Sequence, residues 1–222
     1  MSINLFEIVN ELGLPVPQGV LQVGASYGQE MKYFLDNGIT SGVFIEPLKA
    51  PFDHLASMCR QLPNFVAVQA LVSDSSAKPE TLHVASNGGM SSSILRPTKH
   101  LKLHDTVSFG STIAIESNTL DDVISFLGSN GHATATGNLS LLYMDTQGAE
   151  LKILMGANHT LKSIRYIFTE VSRTDLYEGM IPFLTFCTYL DAIGFSLNNV
   201  YFNQYQQGDA LFIRKELMDM KA

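Results

Sequence analysis

Apolar positions recur at two different periods along the chain, and the switches between them mark out its elements. Leu5, Ile8, Val9 and Leu12 keep helical spacing until Gly13 and Pro15 break it, which predicts an N-terminal docking helix within residues 1–18. Val20 to Ala25 reads as a buried strand running into a glycine turn, and Met31, Phe34 and Leu35 then give one helical face ended by Gly38. The unit repeats: Val43 to Ile45 is a second strand ending at Glu46, and behind Pro47 the residues Phe52, Leu55, Ala56 and Cys59 share a helix face. Phe65 to Val72 predicts a third strand, and Thr81 to Ala85 a further one.

From Ser86 to about Ser111 the periodicity lapses into Ser, Gly, His and Lys, so residues 86–112 are expected to form a long substrate loop or lid. Helical spacing returns at Leu120, Val123, Ile124 and Leu127 behind the capping hydroxyl of Thr119. Leu139 to Met144 and Ile164 to Phe168 are nearly continuous apolar runs, the pattern of strands buried on both faces. Each is followed by helical spacing, and strands near 196–202 and 210–214 close the chain as a hairpin. The alternation predicts a doubly wound α/β fold, with a mostly parallel sheet covered by helices on each side. In such sheets ligands sit beyond the carboxyl ends of the strands, where the strand order reverses.

Composition narrows the classes. With 222 residues, 45% hydrophobic and 16% charged, the chain has enough apolar material for one core, and one domain spanning 1–222 is expected. Fourteen Lys and Arg against 21 Asp and Glu leave a net charge of −7, which argues against nucleic acid and anionic membrane as partners. No apolar run is long enough to span a membrane, Met1 to Leu14 has no signal-peptide pattern, and Cys59 and Cys187 are too few for a disulfide framework; the expected location is the cytoplasm.

The predicted strand ends carry the candidate chemistry. Val23-Gly24-Ala25-Ser26-Tyr27-Gly28 can bring backbone close to a ligand, although it lacks the full dinucleotide glycine spacing. Glu46, about 20 residues further on, is placed to accept the two hydroxyl protons of a ribose. Asp145 and Glu170 end two later strands and suit either proton abstraction or a magnesium ion held by hard oxygen ligands. Glu150 is read as complementing its helix dipole. His100, in the loop after Ser91, Ser92 and Ser93, is a candidate base over the site.

With those residues placed, the chain resembles the FkbM family of S-adenosylmethionine-dependent methyltransferases. The likeness runs from about 19 to 215 and rests on VGASYGQE (23–30), FIEP (44–47), GGMSSSIL (88–95), NTLDDVI (118–124), MDTQGAELKILMGA (144–157), TEVSRTDLYEG (169–179), GF (194–195) and GDALFIRK (208–215). The resemblance implies a seven-stranded Rossmann-like sheet with a C-terminal antiparallel hairpin, and S-adenosylmethionine as cofactor. It puts Gly24, Ala25, Ser26 and Gly28 around the methionine part, with Tyr27 in the same turn, and Glu46 followed by Pro47 on the ribose. The segment near Leu71 to Asp74, with Ser73 and Asp74, would flank the adenine. Asp145 would lie near the sulfonium and acceptor, Gln147 and Glu170 on the acceptor side, and Ser91, Ser92, Ser93 and His100 in a lid.

One departure stands out. Related methyltransferases usually carry, two residues before the first glycine, an acid that helps hold the cofactor's ammonium group, and this chain has Gln22 there. The amide can accept a hydrogen bond but brings no charge. The reading that follows is an O-methyltransferase acting on a glycan or secondary-metabolite hydroxyl, with His100 or Glu170 as base. Magnesium at Asp145 and Glu170 and a homo-oligomer are open additions. A competing reading is a methyltransferase fold kept as a binding or scaffold module without turnover, and a nicotinamide oxidoreductase ranks last.

Overall fold

A computed structural model describes residues 3–219. Residues 1–2 of the expected docking segment, and residues 220–222 of the expected 1–222 domain, lie outside the described residues. In chain order the elements are α1 (Leu5–Glu11), β1 (Gly19–Val23), α2 (Met31–Asp36), β2 (Ser41–Ile45), α3 (Lys49–Cys59), β3 (Phe65–Val68), β4 (Leu71–Val72) and β5 (Pro79–Ala85). There follow α4 (His100–Leu103), β6 (Phe109–Asn118), α5 (Leu120–Ser129), α6 (Ala133–Thr136), β7 (Leu139–Met144), α7 (Glu150–Met155) and β8 (Tyr166–Ser172). The chain closes with α8 (Phe183–Ala192), β9 (Phe195–Phe202), β10 (Gln207–Arg214) and α9 (Lys215–Asp219).

Seven strands form one sheet in the order β3-β2-β1-β7-β8-β10-β9. Pairings are parallel from β3 through β8, and β10 runs against both of its neighbours, which makes the closing hairpin. The apolar runs read from the sequence are these strands: every residue of β1 and β2 is buried. Alternate side chains feed two cores. Leu21, Val23, Val43, Ile45, Leu142 and Met144 pack under α5, α7 and α8, while Val20, Phe44, Leu141 and Tyr166 pack under α1, α2 and α3. Helix α1 docks through Leu5, Phe6 and Val9, with the Phe6 ring edge-on to Tyr33 at 5.2 Å.

Two sequence expectations change. The single strand over 65–72 breaks after Val68: β3 stays in the main sheet, whereas β4 crosses to pair with β6. Leu71 there is buried against Leu48 and Leu82, a small separate core that draws the chain out of the main sheet. The expected loop over 86–112 is also not featureless, since α4 and the first residues of β6 fall inside it. β6 joins β4 and β5 in a three-stranded sheet. Its residues from Gly110 to Ala114 are exposed, so it carries no buried apolar stripe to read.

The topological switch lies between β1 and β7. Val23 is level with Ile45 on one side and Met144 on the other, and Met144 is level with Thr169. The residues one step further along these four strands, Gly24, Glu46, Asp145 and Glu170, therefore emerge at one height.

Candidate functional site

Gly24 leaves β1 with φ +77°, and a Cβ there would stand 1.9 Å from the Asp145 carbonyl oxygen. Only glycine allows the β1 and β7 exits to close on each other at this point. The Gly24 and Ala25 amides both donate to the Ile45 carbonyl at 3.0 Å, locking the turn to the end of β2. Ser26, at φ +45°, then presents its amide to Glu46 Oε2 at 2.9 Å, and the Leu48 amide donates to Oε1 at 2.8 Å. Glu46 is 5% exposed. Burial raises its pKa, the two amides pull it back, and the charge of Asp145 adds to the rise. Each carboxylate oxygen has a second lone pair, so the group can still accept two hydroxyl protons.

These residues wall a cavity of about 260 Å³. Gly24, Ser26, Glu30, Glu46 and Asp145 give its polar side, and Leu48, Leu71, Val72, Leu82, Ile94 and Ile153 its apolar side. The small sheet and the segment after β5 supply much of that apolar wall, which explains why β4 leaves the main sheet. Ser92 and Ser93 also line the cavity.

Beyond Asp145 the site becomes a network of side chains. Gln147 Nε2 donates to Asp145 Oδ1 at 2.8 Å and to Glu170 Oε2 at 2.7 Å. The Tyr177 hydroxyl, 2.8 Å from Gln147 Oε1 and 2.9 Å from the Ser91 carbonyl, shares its one proton between them. Ser93 Oγ donates to the Gln147 carbonyl at 2.8 Å, so Gln147 is gripped from both ends while its backbone holds φ +55°. A non-glycine residue in that region is kept there by its surroundings. Loss of solvent at the crowded strand ends raises the pKa of Asp145, although the residue is exposed at the cavity, and the Gln147 bond pulls it back. The same loss of solvent together with the Asp145 charge raises Glu170 well above the usual carboxylate range. Glu150 folds back instead, its Oε1 accepting from the Thr146 amide and hydroxyl at 3.0 and 2.9 Å to close the turn before α7.

The expected residues divide accordingly. Gly24, Ser26, Glu46, Pro47, Ser92, Ser93 and Asp145 line the cavity. Ala25 and Gly28 shape the turn from below; a Cβ on Gly28 would press on Leu55 at 3.0 Å. Tyr27 packs against His54 instead of lining the cavity. Ser73 and Asp74 lie past the wall, which is made by Ala70, Leu71 and Val72; Ser73 is tied to Asn118, and Asp74 is paired with Lys78. Ser91 touches the site through its carbonyl alone.

His100 is displaced from its expected place over the site. It is 3% exposed in a ring cluster with His104, Phe109 and Tyr177, behind Tyr177 and outside the cavity lining. Burial and His104 lower its pKa, so it is a packed neutral ring. The segment around it is pinned by the Thr98 amide on Leu176 and by paired His83–Ser93 backbone bonds, so it forms a wall and not a free lid. The magnesium expectation changes as well. Among the described residues no group of three or more His, Cys, Asp or Glu is arranged to hold a metal, and the Asp145–Glu170 pair is already spanned by the Gln147 amide.

Two functional candidates escaped the sequence reading. Tyr177 reaches the site from a segment after β8, and no local pattern announces it. Glu30 lines the cavity, its Oε2 accepting from Gln22 Nε2 at 2.9 Å. Its position directly after the glycine turn, at the start of α2, was the available signal.

The strand order and the acid-lined crevice at its switch point define a Rossmann-like α/β protein of the methyltransferase type. A model of the methyltransferase FkbM domain matches residues 22–196, and the chain belongs to that family. It is 30% identical over 186 residues to the 2-O-methyltransferase NoeI of Sinorhizobium fredii, covering 79% of this chain and 72% of that relative. Among solved structures it is similar to methyltransferase FkbM from Methylobacillus flagellatus, with a TM-score of 0.55, 13% identity and 89% of this chain covered. This chain spans 43% of that structure's length. A protein of the NADB-Rossmann superfamily from Streptococcus agalactiae gives a TM-score of 0.50 at 12% identity, covering 96% of this chain and 70% of that one. At these identities the two structures speak for the fold.

Proposed function

We propose that this chain binds S-adenosylmethionine in the crevice between β1, β2 and β7 and transfers its methyl group to a hydroxyl of a small-molecule or glycan acceptor. The observation that carries this reading is Glu46: a buried carboxylate fixed by two backbone amides, with one acceptor direction left on each oxygen, at the switch point beside Gly24. A vicinal diol needs that arrangement. The apolar wall from Leu48 to Val72 offers a flat heterocycle a dry face, and among the described residues no Lys, Arg or His lines the cavity, which suits a ligand bearing positive charge.

When bound, S-adenosylmethionine supplies a methyl group on a sulfonium, an electrophile that needs little help from the protein beyond alignment. Asp145 lines the cavity, and its carboxylate is the group that accepts the proton of an acceptor hydroxyl there. Gln147, through its amide, holds that carboxylate and the neighbouring Glu170 in place. Glu170 also lines a small pocket with Met180, Ile181 and Phe183, which shares those last three residues with a groove of about 330 Å³ along 172–184. The name of the Sinorhizobium relative supports oxygen as the methylated atom.

The test is transfer of labelled methyl from S-adenosylmethionine to a panel of glycan and metabolite hydroxyls. Asp145→Asn should lower kcat by about a hundredfold or more, the usual worth of a positioned base, while S-adenosylhomocysteine binding stays within about threefold. Wild-type protein that binds the cofactor yet loses nothing on Asp145→Asn would overturn the assignment of Asp145.

A further inference from the structure

We infer that Glu30, steered by Gln22, is the group that recognises the ammonium end of the cofactor. Three acids line the cavity, and two are committed: Glu46 to the Ser26 and Leu48 amides, Asp145 to the Gln147 amide. Glu30 is different. It occupies the N-cap position of α2, where a side-chain oxygen normally caps the first turn, yet it makes no capping bond. Its carboxylate instead receives Gln22 Nε2 on Oε2, and among the described residues it has no ion-pair partner.

Gln22 is an odd residue to bury in the middle of a sheet. It is 1% exposed on β1, level with Phe44 and Tyr143, and it shares with Val20 the face that α2 covers. Burying an amide costs free energy unless its groups are paired. Here only the donor is paired, with Glu30, and Oε1 has no partner. The buried amide thus spends its donor on Glu30, which lines the cavity where Gln22 itself does not. An ammonium in the cavity has a donor for the Glu30 oxygen that Gln22 leaves free.

This inference rests on the nucleoside reading of the cavity, so its test separates the two. S-adenosylhomocysteine carries the ammonium, whereas 5′-methylthioadenosine keeps the nucleoside and thioether but lacks the amino-acid end. Calorimetric titration of wild-type protein, Glu30→Gln and the exchange variant Glu30→Gln with Gln22→Glu reads both ligands. Glu30→Gln should weaken S-adenosylhomocysteine about tenfold, the difference between a charge-assisted and a neutral contact, and leave methylthioadenosine unchanged. The exchange variant should recover most of that loss. Equal weakening of both ligands, or no weakening of either, overturns the role of Glu30 while the nucleoside reading stands. Wild-type protein that binds neither ligand overturns both.

Discussion

On the β1–β2 side of the crevice the polar groups are met by backbone: Glu46 by the Ser26 and Leu48 amides, the turn by the Ile45 carbonyl. On the β7–β8 side they are met by one another: Asp145, Gln147, Glu170 and Tyr177 form a chain of side chains whose members hold each other in place. The first half is fixed once the sheet forms and suits a ligand that must be held the same way every time. The second gathers two acids on one amide, one of them held well above its ordinary pKa, and suits a step in which a proton moves. A backbone-built half should fail by steric change, and a side-chain-built half by change of charge.

The largest effect is therefore expected at Gly24. Gly24→Ala should destabilise the protein by about 3 kcal/mol, because a Cβ at φ +77° both strains the backbone and meets the Asp145 carbonyl. Gly38 is the control: its φ is +84° but nothing lies within 4 Å of an added Cβ, so Gly38→Ala should cost about 1 kcal/mol in the same urea titration. Equal costs at the two sites would show that the close approach of β1 to β7 contributes nothing.

Glu170 tests the other half through pH. Its folded pKa is raised, so the folded chain keeps a proton that the unfolded chain loses near the ordinary value of 4.5. The stability it contributes is fully present below that value and is lost as pH climbs toward the raised folded pKa. Glu170→Gln should remove up to about 1.4 kcal/mol per pH unit of that decline, measured by denaturation from pH 4 upward. An unchanged slope would mean that folding does not raise the pKa of Glu170. Smaller again is Tyr177→Phe, which strips the donor from Gln147 Oε1 and Ser91 and should cost about 1 kcal/mol, with kcat falling more than KM rises.

The same contrast explains what was legible in the sequence. Gly24, Ser26 and Glu46 were readable because a strand, a turn and the next strand end are close neighbours in the chain, and each has a residue type suited to its backbone duty. Asp145 was readable as a strand end, whereas Glu170, expected at one, lies inside β8, and the Gln147 bridge that joins them depends on packing. Tyr177 could not be found, since only the fold brings residues 91, 147 and 177 together. His100 was misplaced for a related reason: a histidine in a polar stretch looks available, but here an aromatic cluster with Phe109 and Tyr177 encloses it. β6 escaped because its exposed faces carry no hydrophobic stripe.

The central claim is that the backbone-held carboxylate of Glu46 receives the ribose of the cofactor. Titrating S-adenosylhomocysteine into wild-type protein and into Glu46→Ala tests it most directly. The account predicts saturable one-to-one binding by the wild type, weakened at least about tenfold in the variant as two bonds to a charged acceptor are lost. Binding of equal strength in both proteins would contradict it.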